Sequence, residues 1–205
     1  MVKSDMCGFY LFEPGHDFYN RFKIQNRLDF LPKKINATPG QVVPIIYQEE
    51  IRIVQPMKWG LIPFWAKDKN IGKKMFNARA ESVVEKPAFR KAYKTQRCLV
   101  PGNGFYEWKN ENGKKIPYYF EIKDRPIFGF AGLYDIWEEP VGGKKIYTYT
   151  IITTKPNEVV KPVHERMPVI VEEKEENIWL NRTSNILELQ SLLKPSKENL
   201  FALRQ

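Results

Sequence analysis

Residues 98–122 read CLVPGNGFYEWKNENGKKIPYYFEI, and this segment has the clearest pattern of strands and turns in the chain. The Gly-Asn-Gly turn at 102–104 leads into an aromatic run at 105–108. The dipeptide Asn112-Gly113 is typical of a two-residue β-hairpin loop. After it, apolar side chains recur at every second position, which is the period of a strand: Ile116, Tyr118, Phe120 and Ile122. The segment therefore predicts antiparallel strands joined by a tight turn.

Short apolar segments of the same kind, separated by Pro and Gly, extend in both directions from this hairpin. We predict further strands at 8–12, 42–47, 51–54, 98–100, 127–134 and 146–154. Helices are predicted after residue 17, within 81–93 with an interruption at Pro87, at 172–180 and at 184–193. Asp17 is the expected N-cap of the first helix, which carries Phe18, Phe22 and Leu28 on one side. The expected fold is α+β, a single domain with a large, mostly antiparallel, barrel-like curved β-sheet core and peripheral helices.

The composition indicates one globular domain with a basic surface. Hydrophobic residues make up 42% of the 205 residues, which is enough for a core. No apolar run approaches the roughly 20 residues that span a bilayer, and residues 1–6 lack the apolar stretch of a signal peptide, so we expect an intracellular protein. The net charge of +9 favours a polyanion such as nucleic acid. The same charge would also keep a protein soluble, and both interpretations stay open here.

The few cysteines and histidines argue against a metal site. The chain has Cys7, Cys98, His16 and His164, with neither a Cys-x-x-Cys nor a His-x-x-x-His pair. We therefore expect no metal and no cofactor, and we expect both cysteines to be free thiols. Cys98 is assigned to the core because Leu99 and Val100 follow it, and His16 to a surface turn.

Cys7 lies between Met6 and Gly8, a context that suggests more than a buried thiol. If Met6 is the natural start, removal of the initiator methionine would leave Cys7 with a free α-amine. An α-amine with a pKa of about 7.7–8 is partly neutral at physiological pH and attacks aldehydes. The neighbouring thiol would then close a five-membered thiazolidine ring. The alternative is that Cys7 is a small core residue.

Two further segments contain polar side chains suited to a site. Asn77 offers both a donor and an acceptor, and Arg79 offers a planar fork for phosphate. The alternative is a turn with a surface arginine paired to Glu81. Glu107 lies among aromatic residues, where desolvation would raise its pKa toward use as a general acid. If the strand simply alternates, Glu107 faces solvent instead.

The remaining candidates are an aromatic residue and a charged loop. Trp108 is expected to stack on a base, although it would also fit a core. His164 lies in a Val-His-Glu-Arg-Met-Pro loop, and histidine transfers protons near neutral pH. Arg166 in the same loop is a candidate phosphate contact.

Taken together, these segments resemble the SOS-response-associated peptidase (SRAP) family. The matching segments are Met-Cys-Gly at 6–8, Ala-Thr-Pro-Gly-Gln at 37–41, Trp-Gly-Leu-Ile-Pro-Phe-Trp-Ala at 59–66, Asn-Ala-Arg-Ala-Glu at 77–81, the run at 98–108, and His-x-Arg-Met-Pro at 164–168. Each motif is weak alone, but their shared order is specific, and the resemblance covers residues 7 to about 171.

The resemblance implies a function and a set of site residues. Members of the family form a covalent crosslink to abasic sites in single-stranded DNA and shield them at replication forks. It implies Cys7 as the crosslinking nucleophile, Asn77 as the group that positions the amine and the opened sugar, Glu107 as general acid and base, and His164 as a proton-transfer group, including in reversal. The strand-binding set it implies is Arg79, Arg166, Trp65, Trp108, Pro39 and Thr153. The same Cys, Glu and Asn would carry the thiol autopeptidase activity in the family's name.

The sequence departs from the family pattern at two places. Five residues precede Met6, so we expect residues 1–6 to be a leader that is removed, or a start assigned too early, ahead of one domain at 7–205; otherwise the crosslinking chemistry is lost. Phe9 stands where the family often has a basic residue. Besides covalent capture, an autopeptidase that removes only its own leader, a non-covalent single-strand binding module and an unrelated β-rich protein remain as alternatives. We expect a cytoplasmic monomer that is nucleoid-associated when bound to DNA.

Overall fold

The computed structural model describes residues 7–205, so the expected leader at 1–6 lies outside the described residues. Within this part the strands are β1 Tyr10–Phe12, β2 Ile35–Ala37, β3 Val42–Gln48, β4 Arg52–Trp59, β5 Asn77–Arg79, β6 Arg97–Gly102, β7 Gly104–Glu111, β8 Lys114–Ile122, β9 Phe128–Glu138, β10 Lys145–Thr154, β11 Met167–Pro168, β12 Ile170–Val171 and β13 Leu200–Arg204. The α-helices are α1 Phe18–Arg21, α2 Arg90–Thr95, α3 Glu176–Leu180 and α4 Ile186–Leu192, and two 3-10 helices span Lys69–Lys74 and Glu173–Glu175.

Five strands close into a barrel. The antiparallel ladders run from β4 to β3, then to β6, β9 and β10. The barrel closes where β10 meets β4 in parallel, with Thr148 opposite Lys58. Beyond this pairing β5 continues in parallel along β10, with Asn77 opposite Ile151. The prediction of a mostly antiparallel, barrel-like core in an α+β domain is confirmed.

A second antiparallel sheet, in the order β13-β8-β7-β1-β2, packs against the barrel. Tyr10 of β1 connects the two layers. Its ring contacts Trp59 and Phe130 at centroid distances of 5.2 and 5.7 Å, and its hydroxyl lies 2.9 Å from that of Tyr149. All four aromatic side chains are buried, and this packing fixes β1, and with it the residues just before it, against the barrel.

The hairpin predicted from Asn112-Gly113 is present. Glu111 pairs with Lys114, and both loop residues have positive φ, 52° for Asn112 and 80° for Gly113. A two-residue loop with two positive φ angles is the type I′ turn, whose twist matches that of the strands it joins.

The helix predicted after residue 17 was wrong in extent, whereas the helices predicted at 172–180 and 184–193 are present and the interruption expected at Pro87 is confirmed. Helix α1 covers only four residues, Leu28 lies outside it, and the Asp17 side chain makes no cap hydrogen bond. The left-handed φ of Lys23, 54°, turns the chain away after the first helical turn. Within 81–93 the chain forms turns up to Pro87 and becomes helical only at Arg90, because proline has no amide hydrogen for the helical ladder.

Strand β13 was not predicted, because its exposed side chains show no clear alternation. It pairs with β8 through the register of Leu200 with Ile122. In the described part of the chain, no helix has the length and apolar character needed to cross a membrane.

Candidate active site

Cys7 and Glu107 meet where β1 runs beside β7. The amide of Tyr106 donates to the carbonyl of Phe9 at 2.9 Å, which extends the β1–β7 ladder toward Cys7. The backbone nitrogen of Cys7 donates to Glu107 Oε1 at 2.7 Å. Both residues are buried, with 4% of Cys7 and 1% of Glu107 exposed. The sequence interpretation in which Glu107 faces solvent is therefore wrong.

The backbone of Cys7 has an unusual conformation. Its φ is +43°, in the left-handed region that side chains other than glycine rarely adopt. Such strain persists only where the surroundings hold it, and it is concentrated at functional sites. Here the short hydrogen bond to Glu107 is one of the contacts that hold it.

The pKa values of the Glu107 carboxyl and the Cys7 thiol are both raised. Burial raises the pKa of the Glu107 carboxyl, and His164 with the Cys7 contacts only partly offsets this. Burial also raises the pKa of the Cys7 thiol well above its ordinary value, and the Glu107 carboxylate raises it further, while Arg166 acts in the opposite direction. The raised pKa lets the Glu107 carboxyl hold its proton to a higher pH than an exposed glutamate does, as a general acid requires.

Asn77 and His164 complete the surroundings of this pair. Asn77 Nδ2 donates to the Cys7 carbonyl at 3.4 Å, and β5 holds it there by pairing with β10. His164 Nδ1 lies 3.8 Å from Glu107 Oε1 and 3.2 Å from the Arg166 amide nitrogen. The structure thus brings together Cys7, Asn77, Glu107 and His164, which come from four separate segments.

The guanidinium of Arg166 is already paired with Glu81 and Thr153. It donates to both carboxylate oxygens of Glu81, at 2.6 and 2.9 Å, and to the Thr153 carbonyl at 2.6 Å. Only 8% of Arg166 and none of Thr153 is exposed. The expected contact of Thr153 with DNA does not fit this buried position, where it supports Arg166. The alternative pairing of Glu81 with Arg79 is also wrong, because Glu81 pairs with Arg166.

Four of the expected strand-binding residues lie on the surface. Arg79 and Pro39 are exposed, and Trp65 and Trp108 are 49% and 36% exposed. Phe9 packs against Trp108 and Tyr106, with ring-centroid distances of 6.2 and 4.9 Å. An aromatic cluster therefore occupies the position where the family often has a basic side chain.

The loop that carries Trp65 is held by residues of β9 that the sequence motifs do not include. The exposed Phe64 and Trp65 form a loop anchored by buried groups of β9. Asp135 Oδ2 accepts from the Phe64 amide at 2.9 Å, and Trp137 Nε1 donates to the Ala66 carbonyl at 2.6 Å. One signal was available in the sequence, since Asp135 is the only acidic residue in the apolar run 127–137.

The other candidate ligands lie elsewhere. Cys98 is fully buried in the core as expected, and His16 is exposed in a turn. Among residues 7–205, no group of three or more His, Cys, Asp or Glu side chains could hold a metal ion.

Comparison with known proteins identifies the family. The sequence profile described as SOS response associated peptidase (SRAP) matches residues 6–205. The abasic site processing protein YoqW of Bacillus subtilis is 45% identical over 199 residues, which are 93% of this chain and 87% of that protein. The abasic site processing protein YMR114C of Saccharomyces cerevisiae is 36% identical over 174 residues, 82% of this chain and 46% of that protein.

Solved structures agree with the fold. A protein from Bacteroides thetaiotaomicron superposes with a TM-score of 0.89 at 36% identity, over 97% of this chain and 91% of that chain. A protein from Bordetella bronchiseptica superposes with a TM-score of 0.82 at 23% identity, over 97% of this chain and 99% of that chain, and that likeness supports the fold alone. On the match of its sequence profile and on its relatives, this chain belongs to the SOS response associated peptidase (SRAP) family.

Proposed function

We propose that this protein captures abasic sites in single-stranded DNA by forming a thiazolidine between Cys7 and the aldehyde of the opened sugar. The observation that carries the proposal is the 2.7 Å contact between the Cys7 nitrogen and Glu107, in a buried site that also holds Asn77 and His164. The names of its relatives, abasic site processing proteins, support the same substrate.

The chemistry requires a free amine at Cys7. While a residue precedes Cys7, its nitrogen is a peptide amide that donates to Glu107 and is not a nucleophile. Once the chain begins at Cys7, the same nitrogen is an α-amine that is partly neutral near pH 8. The Glu107 carboxylate then accepts a proton from the ammonium form and leaves the lone pair free to react.

The reaction proceeds in three balanced steps. The Cys7 amine adds to the aldehyde carbon, the carbonyl oxygen takes a proton from Glu107, and the added nitrogen returns a proton to the Glu107 carboxylate, which gives a neutral carbinolamine. The hydroxyl then takes this proton from Glu107 and leaves as water, a C=N bond forms, and the proton left on the nitrogen passes to Glu107, with His164 as the proposed relay. Finally Sγ adds to the imine carbon and the thiol proton passes to the nitrogen. One water is released in total, and Asn77 orients the Cys7 backbone throughout.

The proposed strand path runs over the exposed residues beside this site. Trp65 and Trp108 would stack on bases, because stacking on aromatic side chains tolerates any sequence. Arg79 would contact a phosphate, and Pro39 would border the abasic position. Arg166 would mainly support the site and would not contact a phosphate directly, because its guanidinium is already held by Glu81 and Thr153.

Intact-protein mass spectrometry before and after incubation with single-stranded DNA bearing one abasic site tests the proposal. We expect a mass that begins at Cys7 and shifts to a denaturant-stable DNA adduct. In a chain that begins at Met6, the Cys7→Ser variant keeps the amine, so it should give an imine that survives only after borohydride reduction. The control Cys98→Ala, which alters the other thiol, should give the stable adduct. A stable adduct in Cys7→Ala, or no adduct from a chain that begins at Met6, would overturn covalent capture.

We also propose a second activity, removal of residues 1–6 by Cys7 itself, which is favoured by the strained φ of Cys7 and by the hydrogen bond from its amide to Glu107. Sγ would attack the carbonyl carbon of residue 6 as the thiol proton passes to Glu107, the C–N bond would break, and the Cys7 nitrogen would take that proton from Glu107. Water would then hydrolyse the thioester and release the leader and the thiol.

A time course of the intact mass of the purified chain tests this second activity without DNA. The leader should be lost from the unmodified chain and retained in both Cys7→Ala and Glu107→Ala. If these variants lose residues 1–6 at the same rate as the unmodified chain, another enzyme removes them.

A further inference from the structure

A cavity of about 340 Å³ lies at the opposite end of β10 from Cys7. The residues that line it include the apolar Ile62, Ile146 and Pro39 and the cationic Lys58, Lys69 and Lys73. We call these six residues the lysine pocket. An apolar wall beside ammonium groups is suited to a ligand with a flat, weakly polar part and a phosphate.

The lysines are held at the rim by a close backbone contact. Gly60 follows β4, and Gly72 lies in the 3-10 helix that carries Lys69 and Lys73. A Cβ atom on Gly60 would lie 2.6 Å from the Gly72 carbonyl oxygen, and one on Gly72 would lie 2.7 Å from that of Gly60. Only glycine at both positions lets the helix approach β4 so closely, and Lys58 on that strand then faces the helical lysines across the cavity.

Across the described residues, only one of the three lysines is paired with a nearby carboxylate, so the positive charges of the other two are not offset by an ion pair. Lys69 forms an ion pair with Glu139 at 3.1 Å, and the Asp68 side chain caps the 3-10 helix by accepting from the Asn70 amide. Within residues 7–205, Lys58 and Lys73 form no ion pair. The pocket therefore presents a net positive charge beside an apolar surface.

Strand β10 and the turn that contains Pro39 link the lysine pocket to the Cys7 site. Ile151 of β10 pairs with Asn77, and Ile146, five residues earlier on β10, lines the pocket. At about 3.3 Å per residue this separation is roughly 16 Å. Pro39 lies between them, since it follows Ala37, the partner of Tyr10, and also borders the cavity. A strand bound at Cys7 and passing over Pro39 would reach the lysine pocket.

We propose that the lysine pocket binds a phosphate-bearing nucleotide of the same DNA strand, on one side of the abasic site. The base lies against Ile62 and Ile146, and Lys58 and Lys73 contact the phosphate. The proposal rests on the proposed function for its ligand, and it adds a subsite that sets the direction in which the strand crosses the protein.

Neutralising single phosphates tests the subsite. The probe is a single-stranded oligonucleotide with a tetrahydrofuran abasic analogue, which has no aldehyde, and with one methylphosphonate placed in turn at each position. Besides the phosphate that contacts Arg79, we expect one position, or two adjacent ones, on a single side of the lesion to lower the affinity of the unmodified protein about tenfold. In the Lys58→Gln/Lys73→Gln variant that effect should disappear, because glutamine does not neutralise the phosphate at that position. The slope of log affinity against log salt should also fall by about 0.7 for each phosphate that the variant leaves unneutralised.

A matched variant controls for net charge. Lys123 and Lys197 are exposed and form no ion pair within residues 7–205; Lys123 directly follows β8 and Lys197 precedes β13, and neither lines the pocket. The Lys123→Gln/Lys197→Gln variant removes the same charge and should keep the full methylphosphonate effect. If both double variants keep it, or both lose it, the pocket is not a subsite.

Two more measurements distinguish this proposal from binding of a free nucleotide and from the proposed covalent capture. Titration with deoxyadenosine monophosphate alone should show weak binding; tight binding with no positional methylphosphonate effect would assign the pocket to a free nucleotide and overturn the strand proposal. Covalent capture is assayed separately with aldehyde-bearing DNA. No adduct there would remove the proposed function, while the affinities for the tetrahydrofuran strand would still show whether the pocket binds DNA.

Discussion

The guanidinium of Arg166 is held by the carboxylate of Glu81 through two hydrogen bonds, at 2.6 and 2.9 Å. Arg166 is buried, whereas about half of the Glu81 side chain is exposed. This pairing lowers the pKa of Glu81 and keeps it ionised beside the positive charge. The charge of Arg166 is thereby offset, while the exposed Arg79 two residues before Glu81 is not paired in this way.

We expect Arg79→Gln and Arg166→Gln to weaken different properties. Arg79→Gln should reduce the slope of log affinity against log salt by about 0.7, the value for one phosphate on a single strand. Arg166→Gln should change the slope less but lower the free energy of unfolding by about 1–3 kcal/mol, because Glu81 and Thr153 lose their donor. Anisotropy titrations at several salt concentrations and urea denaturation measure the two effects. Equal slopes for the two variants would show that Arg166 contacts phosphate directly.

Glu107→Gln should slow adduct formation about 100-fold, within the usual range for a general acid or base. The amide keeps the shape and an oxygen for the Cys7 nitrogen, so affinity for the tetrahydrofuran strand should stay unchanged. Single-turnover quenching on denaturing gels gives the rate. An unchanged rate removes Glu107 from the mechanism.

The raised pKa of Glu107 also predicts a pH-dependent stability. A carboxyl whose pKa is higher in the folded state stabilises the fold below its unfolded pKa of about 4.3, and this contribution is lost as pH rises through the folded value. Glutamine is neutral at every pH. The free energy of unfolding of Glu107→Gln relative to the unmodified protein should therefore increase between pH 4 and pH 7. Denaturation at both pH values checks this, and a constant difference would mean that the carboxyl is not destabilised by burial.

Asp135→Asn should loosen the loop that carries Trp65. The Asp135 carboxylate accepts from the amides of Phe64 and Ile136 and from Gln96 Nε2, so an asparagine would turn a donor toward one of these donors. We expect faster tryptic cleavage after the exposed Lys67. Affinity for single-stranded DNA should fall by up to about tenfold, within the range expected when one base no longer stacks. Cleavage and affinity like those of the unmodified protein would show that the loop needs no anchor from β9.

The amino-acid sequence alone predicted the features that depend on neighbours along the chain. The hairpin at Asn112-Gly113 and the strands around it follow from the turn chemistry and the two-residue period, and both are present in the structure. The motifs around Cys7, Asn77, Glu107 and His164 indicated the family, which the sequence profile confirms over residues 6–205. The roles of the individual residues stay proposals.

Tertiary packing settled what local patterns do not encode. Helix α1 is shorter than its apolar periodicity predicted, because the left-handed φ of Lys23 turns the chain after one helical turn. Whether Glu107 is buried, and whether Glu81 pairs with Arg166 or Arg79, depends on segments 85 or more residues apart in sequence. Burial and charge pairing are properties of the assembled barrel and second sheet, so no window of sequence contains them. The same assembly anchors the Trp65 loop on Asp135 and forms the lysine pocket between β4, β10 and the 3-10 helix.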